Sequence, residues 1–277
     1  MTPDEYCQRK ALQSGSSFYY SFLFLRPERR RAITALYAFC REVDDTVDEP
    51  GDPSAAGAKL AWWRQEIARL YAGTPQHPVT RALAPAIRPF GLAQSGFNEI
   101  MDGMEMDLRQ TRYADFSGLR QYCHRVAGVV GAFAARIFGY RNERTIEYAH
   151  ALGLAFQLTN IIRDVGEDAR KNRIYLPMEE LRQFDVTAAD ILGARQTEGF
   201  ARLMRFQTER ARKSYKEALA LLPPEDRKAQ RPGLIMAAIY RTLLDEIARD
   251  GYRVLEQRTA LTPVRKLWIA WRTWVTA

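Results

Sequence analysis

Two acidic pentads stand far apart in the chain, Asp44-Asp45-Thr46-Val47-Asp48 and Asp164-Val165-Gly166-Glu167-Asp168, and each separates its outer aspartates by four residues. In an α-helix, residues four apart lie on one face, so each pentad aims two carboxylates at one point in space. Left alone, such a pair repels itself. A hard divalent cation removes the repulsion: Mg²⁺ takes oxygen ligands and is held by one or two carboxylates together with substrate phosphates. Arg41 and Arg163 stand beside the pentads, and a guanidinium fork matches phosphate oxygens. One acidic pentad would read as a solvated helix end. Two of them, each next to an arginine, predict a metal-bridged diphosphate.

The elements that carry the pentads support this. Pro27 suits a helix start and Pro50-Gly51 a stop, so residues 27–49 read as one helix ending in the first pentad. Ile33, Tyr37, Cys40 and Asp44 recur along it at spacings of four, three and four. At about 100° per residue, Asp44 and Asp48 fall within roughly 60° of Ile33 and should face inward. Glu42 falls on the opposite side, where a solvated carboxylate belongs. Inward carboxylates are costly unless paired or metal-bound. The helix before the second pentad is apolar on most sides, with Leu152, Leu154, Phe156, Leu158, Ile161 and Ile162. Gln157, Asn160, Asp164 and Asp168 form one narrow polar stripe on it. A matching stripe on the first helix predicts that both face an internal cavity.

Helix formers dominate the remaining sequence, and no stretch alternates polar with β-branched apolar residues, so the class is all-α. Further helices are expected at about 53–73, 92–112, 115–139, 142–168, 196–222, 232–250 and 262–275. The four prolines between Thr74 and Pro89 predict a loop or broken helix, Lys171 to Pro177 reads as a loop, and Leu222-Pro223-Pro224 as a break. Val126 to Ala135 is small and apolar, and Gly128 and Gly131 should let a helix or ligand approach closely. At 277 residues and 47% apolar, the chain can bury one large core, and a single domain over residues 1–277 is expected.

The net charge of +8 suits nucleic acid, an anionic membrane surface or an anionic small substrate. Apart from Arg29-Arg30-Arg31 the basic residues are dispersed, with no basic tail and no nucleic-acid motif, so nucleic acid is not expected as a partner. Three cysteines form no CxxC pair and three histidines show no zinc spacing, which argues against a disulfide scaffold or zinc site. The acidic, polar Met1-Thr2-Pro3-Asp4-Glu5 does not resemble a secretory signal, and no apolar run reaches the roughly 18–20 residues of a membrane span, so a cytoplasmic location is expected. Ser16 to Phe22 is dense in aromatics, as core or as the wall of a site for an apolar chain whose cations an aromatic face would stabilise. Trp268, Trp271 and Trp274, with Arg265, Lys266 and Arg272 among them, read either as a packed helix or as one dipping into a lipid surface.

Four stretches resemble the squalene/phytoene synthases, which join two isoprenoid diphosphates head to head. They are Tyr37-Ala38-Phe39-Cys40-Arg41-Glu42-Val43-Asp44-Asp45 through Asp48, Tyr122 to Gly131, Gln157-Leu158-Thr159-Asn160-Ile161-Ile162-Arg163-Asp164 through Asp168, and Arg173-Ile174-Tyr175-Leu176-Pro177. The likeness runs along nearly the whole chain. Ser14-Gly15-Ser16-Ser17-Phe18-Tyr19-Tyr20-Ser21-Phe22, without a C-terminal membrane anchor, looks most like the presqualene diphosphate synthases of the bacterial hopanoid branch. The resemblance implies an isoprenoid-synthase helical fold around a central active-site cavity, with the two aspartate motifs facing each other. It implies Asp44, Asp48, Asp164 and Asp168, assisted by Asn160, as ligands of Mg²⁺, with Mn²⁺ as a possible substitute. Arg41, Arg163, Lys171, Arg173 and Tyr175 would contact phosphate oxygens, Tyr240 and Arg265 would also meet diphosphate, and Phe18, Phe22 and Gln157 would contact substrate.

The activity implied is condensation of two farnesyl diphosphates to presqualene diphosphate, with Tyr122 or the released diphosphate as proton acceptor. A downstream squalene-forming enzyme and peripheral contact with the inner membrane face would follow. NADPH-dependent squalene synthesis and phytoene or dehydrosqualene synthesis are the alternatives; no GxGxxG fingerprint follows a strand. A catalytically silent relative would show eroded aspartates, and all four outer ones are present.

Overall fold

The computed structural model describes residues 1–13, 18–48 and 53–276. The expected stop at Pro50-Gly51 and the serines at 14, 16 and 17 lie outside the described residues. The chain begins with α1 (Pro3–Gln13), the short α2 (Phe18–Phe22) and α3 (Pro27–Asp48), then α4 (Pro53–Tyr71), α5 (Pro78–Ile87) and α6 (Gln94–Arg109). It continues through α7 (Phe116–Cys123), a π-helical turn at His124–Gly128, α8 (Val129–Phe138) and the long α9 (Arg144–Arg170). It closes with α10 (Met178–Gln183), α11 (Ala188–Leu192), α12 (Glu198–Leu221), α13 (Arg231–Arg249) and α14 (Pro263–Thr276). Among the described residues the β pairing is an isolated bridge, Arg112 to Ile174, so the all-α expectation holds.

Two apolar clusters organise these helices. One gathers Leu36, Phe39, Ile67, Leu83, Phe97 and Phe133 from α3–α6 and α8. The other gathers Tyr148, Leu158, Phe200, Tyr215, Ile235 and Leu244 from α9, α12 and α13. Between them the backbones of α8 and α9 touch. A Cβ at Gly131 would stand 2.5 Å from the Ala149 carbonyl oxygen, and one at Gly153 2.5 Å from that of Ala127. The small face of Val126 to Ala135 therefore admits a helix, as its glycines suggest.

Two expectations are corrected. The segment expected as a loop or broken helix carries α5. Pro78 opens it, where no backbone N–H is needed, and the His77 imidazole accepts from the Val79 N–H. The buried Glu66 of α4 anchors the turn before it, accepting from the Gln76 and His77 N–H groups at 2.7 and 2.8 Å. Four prolines in a row of sixteen residues disguised a helix that uses two of them. Glu42, expected in solvent, is covered by α1, a helix the sequence reading did not include. The Tyr6 hydroxyl donates to it at 2.7 Å and the Lys10 ammonium lies 3.0 Å away.

Candidate active site

Each pentad ends its helix as the spacing requires, and the two come together through the residues that follow the second. Beyond the end of α9, Lys171 Nζ lies 2.9 Å from Asp48 Oδ2 and Arg173 Nη1 lies 2.6 Å from Asp48 Oδ1, 123 and 125 positions away along the chain. Arg173 also donates to the Val47 carbonyl at 2.9 Å. Arg41 pairs with Asp44 at 2.6 Å and with Asp45. Arg163 forks onto Asp164, whose Oδ1 also accepts from Arg258 Nε at 2.8 Å. Asp168 has no such partner among the described residues.

The electrostatics divide along the same line. Burial alone would raise Asp48 and Asp164, but hydrogen bonds and charge from Lys171 and Arg173, and from Arg163 and Arg258, hold both below the usual carboxylate range. Asp44 is raised to about 6 by burial, with Arg41 opposing and Asp48, Asp107 and Asp45 adding repulsion. Asp168 is raised to about 8 by burial and by the charges of Asp164, Asp107 and Asp48, against which Lys171 is not enough. A cluster with two carboxylates in this condition lacks positive charge.

The donors present fit a hard cation. The Asn160 Oδ1 is buried with no hydrogen-bond partner, while its Nδ2 donates to Gln157 at 3.3 Å. A buried, unsatisfied amide oxygen costs free energy unless something binds it. With Asp44, Asp48, Asp164 and Asp168 it makes an all-oxygen donor set, the kind Mg²⁺ prefers. With the basic side chains folded onto the aspartates, no three His, Cys, Asp or Glu among the described residues are gathered tightly enough for a metal ion.

Behind the carboxylates lies a cavity of about 220 Å³. Phe22, Leu36, Val130, Phe138, Leu152 and Phe156 give it apolar walls, and Arg41, Asp44, Gln157 and Asn160 give it a polar end. A second, polar pocket is lined by Arg163, Tyr240, Arg258 and Lys266. Phe18, Tyr37, Arg41 and Asn160 line both, so the polar pocket is a mouth opening onto the apolar space.

Of the residues expected to meet substrate, Arg41, Gln157 and Asn160 line the cavity and Arg163 lines the mouth, while Lys171 and Arg173 line neither of these pockets. Phe18 and Phe22 line the cavity with ring centroids 6.2 Å apart. Tyr122 also lines it, and its hydroxyl donates to Asp107 Oδ2 at 2.9 Å. Tyr175 is stacked behind Tyr122 at 5.2 Å, and its hydroxyl donates to the other Asp107 oxygen at 2.8 Å instead of reaching the mouth. Tyr240 lines the mouth with its ring 5.1 Å from Phe156. Arg265 stands outside the mouth, 2.7 Å from Glu246, because its neighbour Lys266 takes the inward position on α14.

Three residues were missed. Asp107 carried a readable signal, an aspartate following Phe97, Ile100, Met101 and Met104 on the buried face of α6. Burial raises it to about 6 despite the two tyrosine hydroxyls and Arg173. Arg258 and Lys266 had no local signal; the path of the chain around α13 brings them to the mouth.

Known proteins share this sequence and fold. The squalene/phytoene synthase family profile matches residues 11–265. A phytoene synthase of Arthrospira platensis is 38% identical over 279 residues, covering 95% of this chain and 89% of its own. A 15-cis-phytoene synthase of Synechococcus elongatus is 34% identical, covering 95% and 89%. Among solved structures, a dehydrosqualene synthase in complex with ligand superposes with a TM-score of 0.86 at 27% identity, over 98% of this chain and 95% of that one. The squalene synthase HpnC from Alicyclobacillus acidocaldarius superposes with a TM-score of 0.79 at 31% identity, over 90% and 94%. Aspartate pentads, basic mouth and apolar cavity thus sit on a shared sequence and fold, and the chain belongs to the squalene/phytoene synthase family of prenyltransferases, which condense prenyl diphosphates head to head and generally use divalent metal ions.

Proposed function

We propose that this protein condenses two molecules of farnesyl diphosphate to presqualene diphosphate, releasing one diphosphate. The observation that carries this reading is the wall shared by the two pockets, where Phe18, Tyr37, Arg41 and Asn160 join a basic mouth to an apolar cavity. A mouth of that composition takes diphosphates, and the cavity takes prenyl chains. Asp44, Asp48, Asn160, Asp164 and Asp168 would hold Mg²⁺, which when bound neutralises diphosphate charge and eases its departure.

The chain's own residues account for the rest. Arg41, Arg163, Lys171, Arg173 and Arg258 exchange carboxylates for phosphate oxygens when substrate enters, and Lys266 adds its charge at the mouth. The C1–O bond of one farnesyl diphosphate breaks, and its electron pair leaves with the diphosphate. The double bond of the second molecule attacks that allylic carbon, while apolar walls keep water from capturing the cation and aromatic faces stabilise it. A carbon-bound proton is then lost, and its bonding pair closes the cyclopropane. Tyr122 is well placed to accept this proton. It lines the cavity, and its own hydrogen already points at Asp107, a carboxylate raised to about 6 by burial.

The squalene synthase and dehydrosqualene synthase among the solved structures support farnesyl chains, as does the resemblance of the Ser14 to Phe22 segment. A second reading, phytoene from two geranylgeranyl diphosphates, is favoured by the phytoene synthases among the relatives. The two part in one experiment. The protein is incubated with Mg²⁺ and either diphosphate, with and without NADPH, and products are identified by mass spectrometry before and after phosphatase. Presqualene diphosphate from farnesyl diphosphate, whatever the NADPH, is the expected result. Squalene appearing once NADPH is added would extend the reaction one step, and product from geranylgeranyl diphosphate alone would establish the phytoene reading.

A further inference from the structure

Arg41 stands between two carboxylates that face different ways. Its Nη1 lies 2.6 Å from Asp44 Oδ2, on the cavity side, and its Nη2 donates to Asp45 Oδ1. Spacings of three and four on α3 bring both within reach of the one guanidinium. Asp44 lines the cavity, whereas Asp45 lines neither the cavity nor the mouth but a separate surface pocket, with Trp62, Trp63 and His77. There its second oxygen is taken: Lys10 Nζ of α1 lies 2.9 Å from Asp45 Oδ2 and 3.0 Å from Glu42 Oε1. The Tyr6 hydroxyl, one turn earlier on α1, donates to that same Glu42 oxygen at 2.7 Å. α1 reaches this place because Cys7 and Ala11 are buried against the bundle, which leaves Tyr6 and Lys10, each one position earlier, side by side against α3.

Lys10, Asp45, Arg41 and Asp44 thus alternate in charge from α1 to the polar end of the cavity. A carboxylate shared between two cations holds each more weakly than it would hold one alone. Lys10 therefore slackens the grip of Asp45 on Arg41, and its own charge pushes the guanidinium the same way, toward the cavity. Without the ammonium, Asp45 and Glu42 would draw Arg41 outward more strongly. Arg41 lines both the cavity and the mouth, so its direction matters to an anion that enters. We propose that Lys10 is a positioning residue for diphosphate binding, acting through Asp45 to keep the Arg41 guanidinium turned to the cavity. The role depends on the function proposed above, which brings a diphosphate to this mouth. It gives the second aspartate of the first pentad a task distinct from that of the outer two, since Asp45 tethers Arg41 from outside the cavity.

Binding of farnesyl thiodiphosphate with Mg²⁺ is measured by calorimetry, alongside KM and kcat for farnesyl diphosphate. Lys10→Met should raise Kd and KM about fivefold or more, with kcat within about twofold and the helical circular dichroism unchanged. Lys10→Arg, which keeps the charge, should restore the affinity. Asp45→Asn alone should also weaken binding, because an untethered guanidinium loses its aim, and adding Lys10→Met to it should change nothing further. Tyr6→Phe removes a contact of α1 that does not touch Asp45, so it should leave Kd within about twofold and controls for a loosened helix. Equal affinity in Lys10→Met, losses that multiply in the double variant, or an equal loss in Tyr6→Phe would each overturn the proposal. Wild-type protein that binds no farnesyl thiodiphosphate would overturn the proposed function along with it, whereas tight binding that ignores Lys10 would leave that function standing.

Discussion

Asp168 stands in its place against its own electrostatics. Burial and the neighbouring charges of Asp164, Asp107 and Asp48 raise it to about 8, so the folded chain resists ionising a group that the unfolded chain ionises near 3.8. A carboxyl raised on folding adds nothing to stability above its folded value and progressively loses what it added between the two. Asp168→Asn should therefore melt higher than the wild type in metal-free buffer, by at least a few degrees, with the gap widening from about pH 4 to pH 8 and level above. The same variant should lose most of its turnover with Mg²⁺ and substrate. Equal melting across that range would show that Asp168 is at ease and remove one argument for a cation beside it. Asp107 offers the complementary case, a carboxylate fixed by two tyrosines. If Tyr122 hands its proton to Asp107, then Tyr122→Phe and Asp107→Asn should each lower kcat by roughly 10²–10³-fold, and the double variant should be little worse than either. Additive losses would separate the two roles and return the proton to the released diphosphate.

The helices that carry these residues are fixed as much by small residues as by large ones. A Cβ at Gly153 meets the Ala127 carbonyl oxygen at 2.5 Å and the Gly128 Cα at 2.9 Å, so Gly153→Ala must push α9 away from the π-turn before α8. Backbone cannot rotate aside as a side chain can, and overpacking of this kind costs about 1–3 kcal/mol. The displaced wall is also a wall of the cavity, so turnover should fall with stability. Gly57 is exposed on α4 with nothing within 4 Å of its Cβ position, and Gly57→Ala should stabilise by about 0.5–1 kcal/mol with turnover intact. Chemical denaturation of both variants checks the pair, and a neutral Gly153→Ala would mean that the two backbones do not need a glycine to approach as closely as they do. The sequence shows the small residues, because Gly128 and Gly131 stand out in an apolar run. It does not show α1 on Glu42 or α5 among four prolines. A helix capped by a carboxylate ten residues away in sequence, as Glu66 caps the turn into α5, has no local signature.

At the scale of the molecule, the site lies between two cores, and this decides how ligand and stability are coupled. The aspartate pairs and their arginines were legible because helical periodicity is local. That Lys171 and Arg173 would cross to Asp48, and that Arg258 and Lys266 would complete the mouth, was not, because those contacts depend on how long helices return upon each other. One apolar cluster belongs to α3–α6 and α8, the other to α9, α12 and α13, and Phe18 and Val126 pack against both. The cavity takes walls from each: Ile33, Leu36 and Phe22 from one, Tyr148, Leu152 and Met236 from the other. A prenyl chain in that space adds apolar contacts to both halves, whereas a bare diphosphate engages only the mouth. Ligand bound by the folded chain alone stabilises it by about 2.7 kcal/mol at a hundredfold excess over Kd, which in a protein of this size moves Tm on the order of 5–10 °C. Farnesyl thiodiphosphate with Mg²⁺ should therefore raise Tm by that amount, inorganic diphosphate with Mg²⁺ by distinctly less at equal concentration, and both shifts should collapse in EDTA. Equal shifts for the two ligands would mean that the cavity takes no prenyl chain. A farnesyl shift that survives EDTA would mean that the carboxylates hold no metal that matters for binding, leaving the arginines and lysines of the mouth as the diphosphate site.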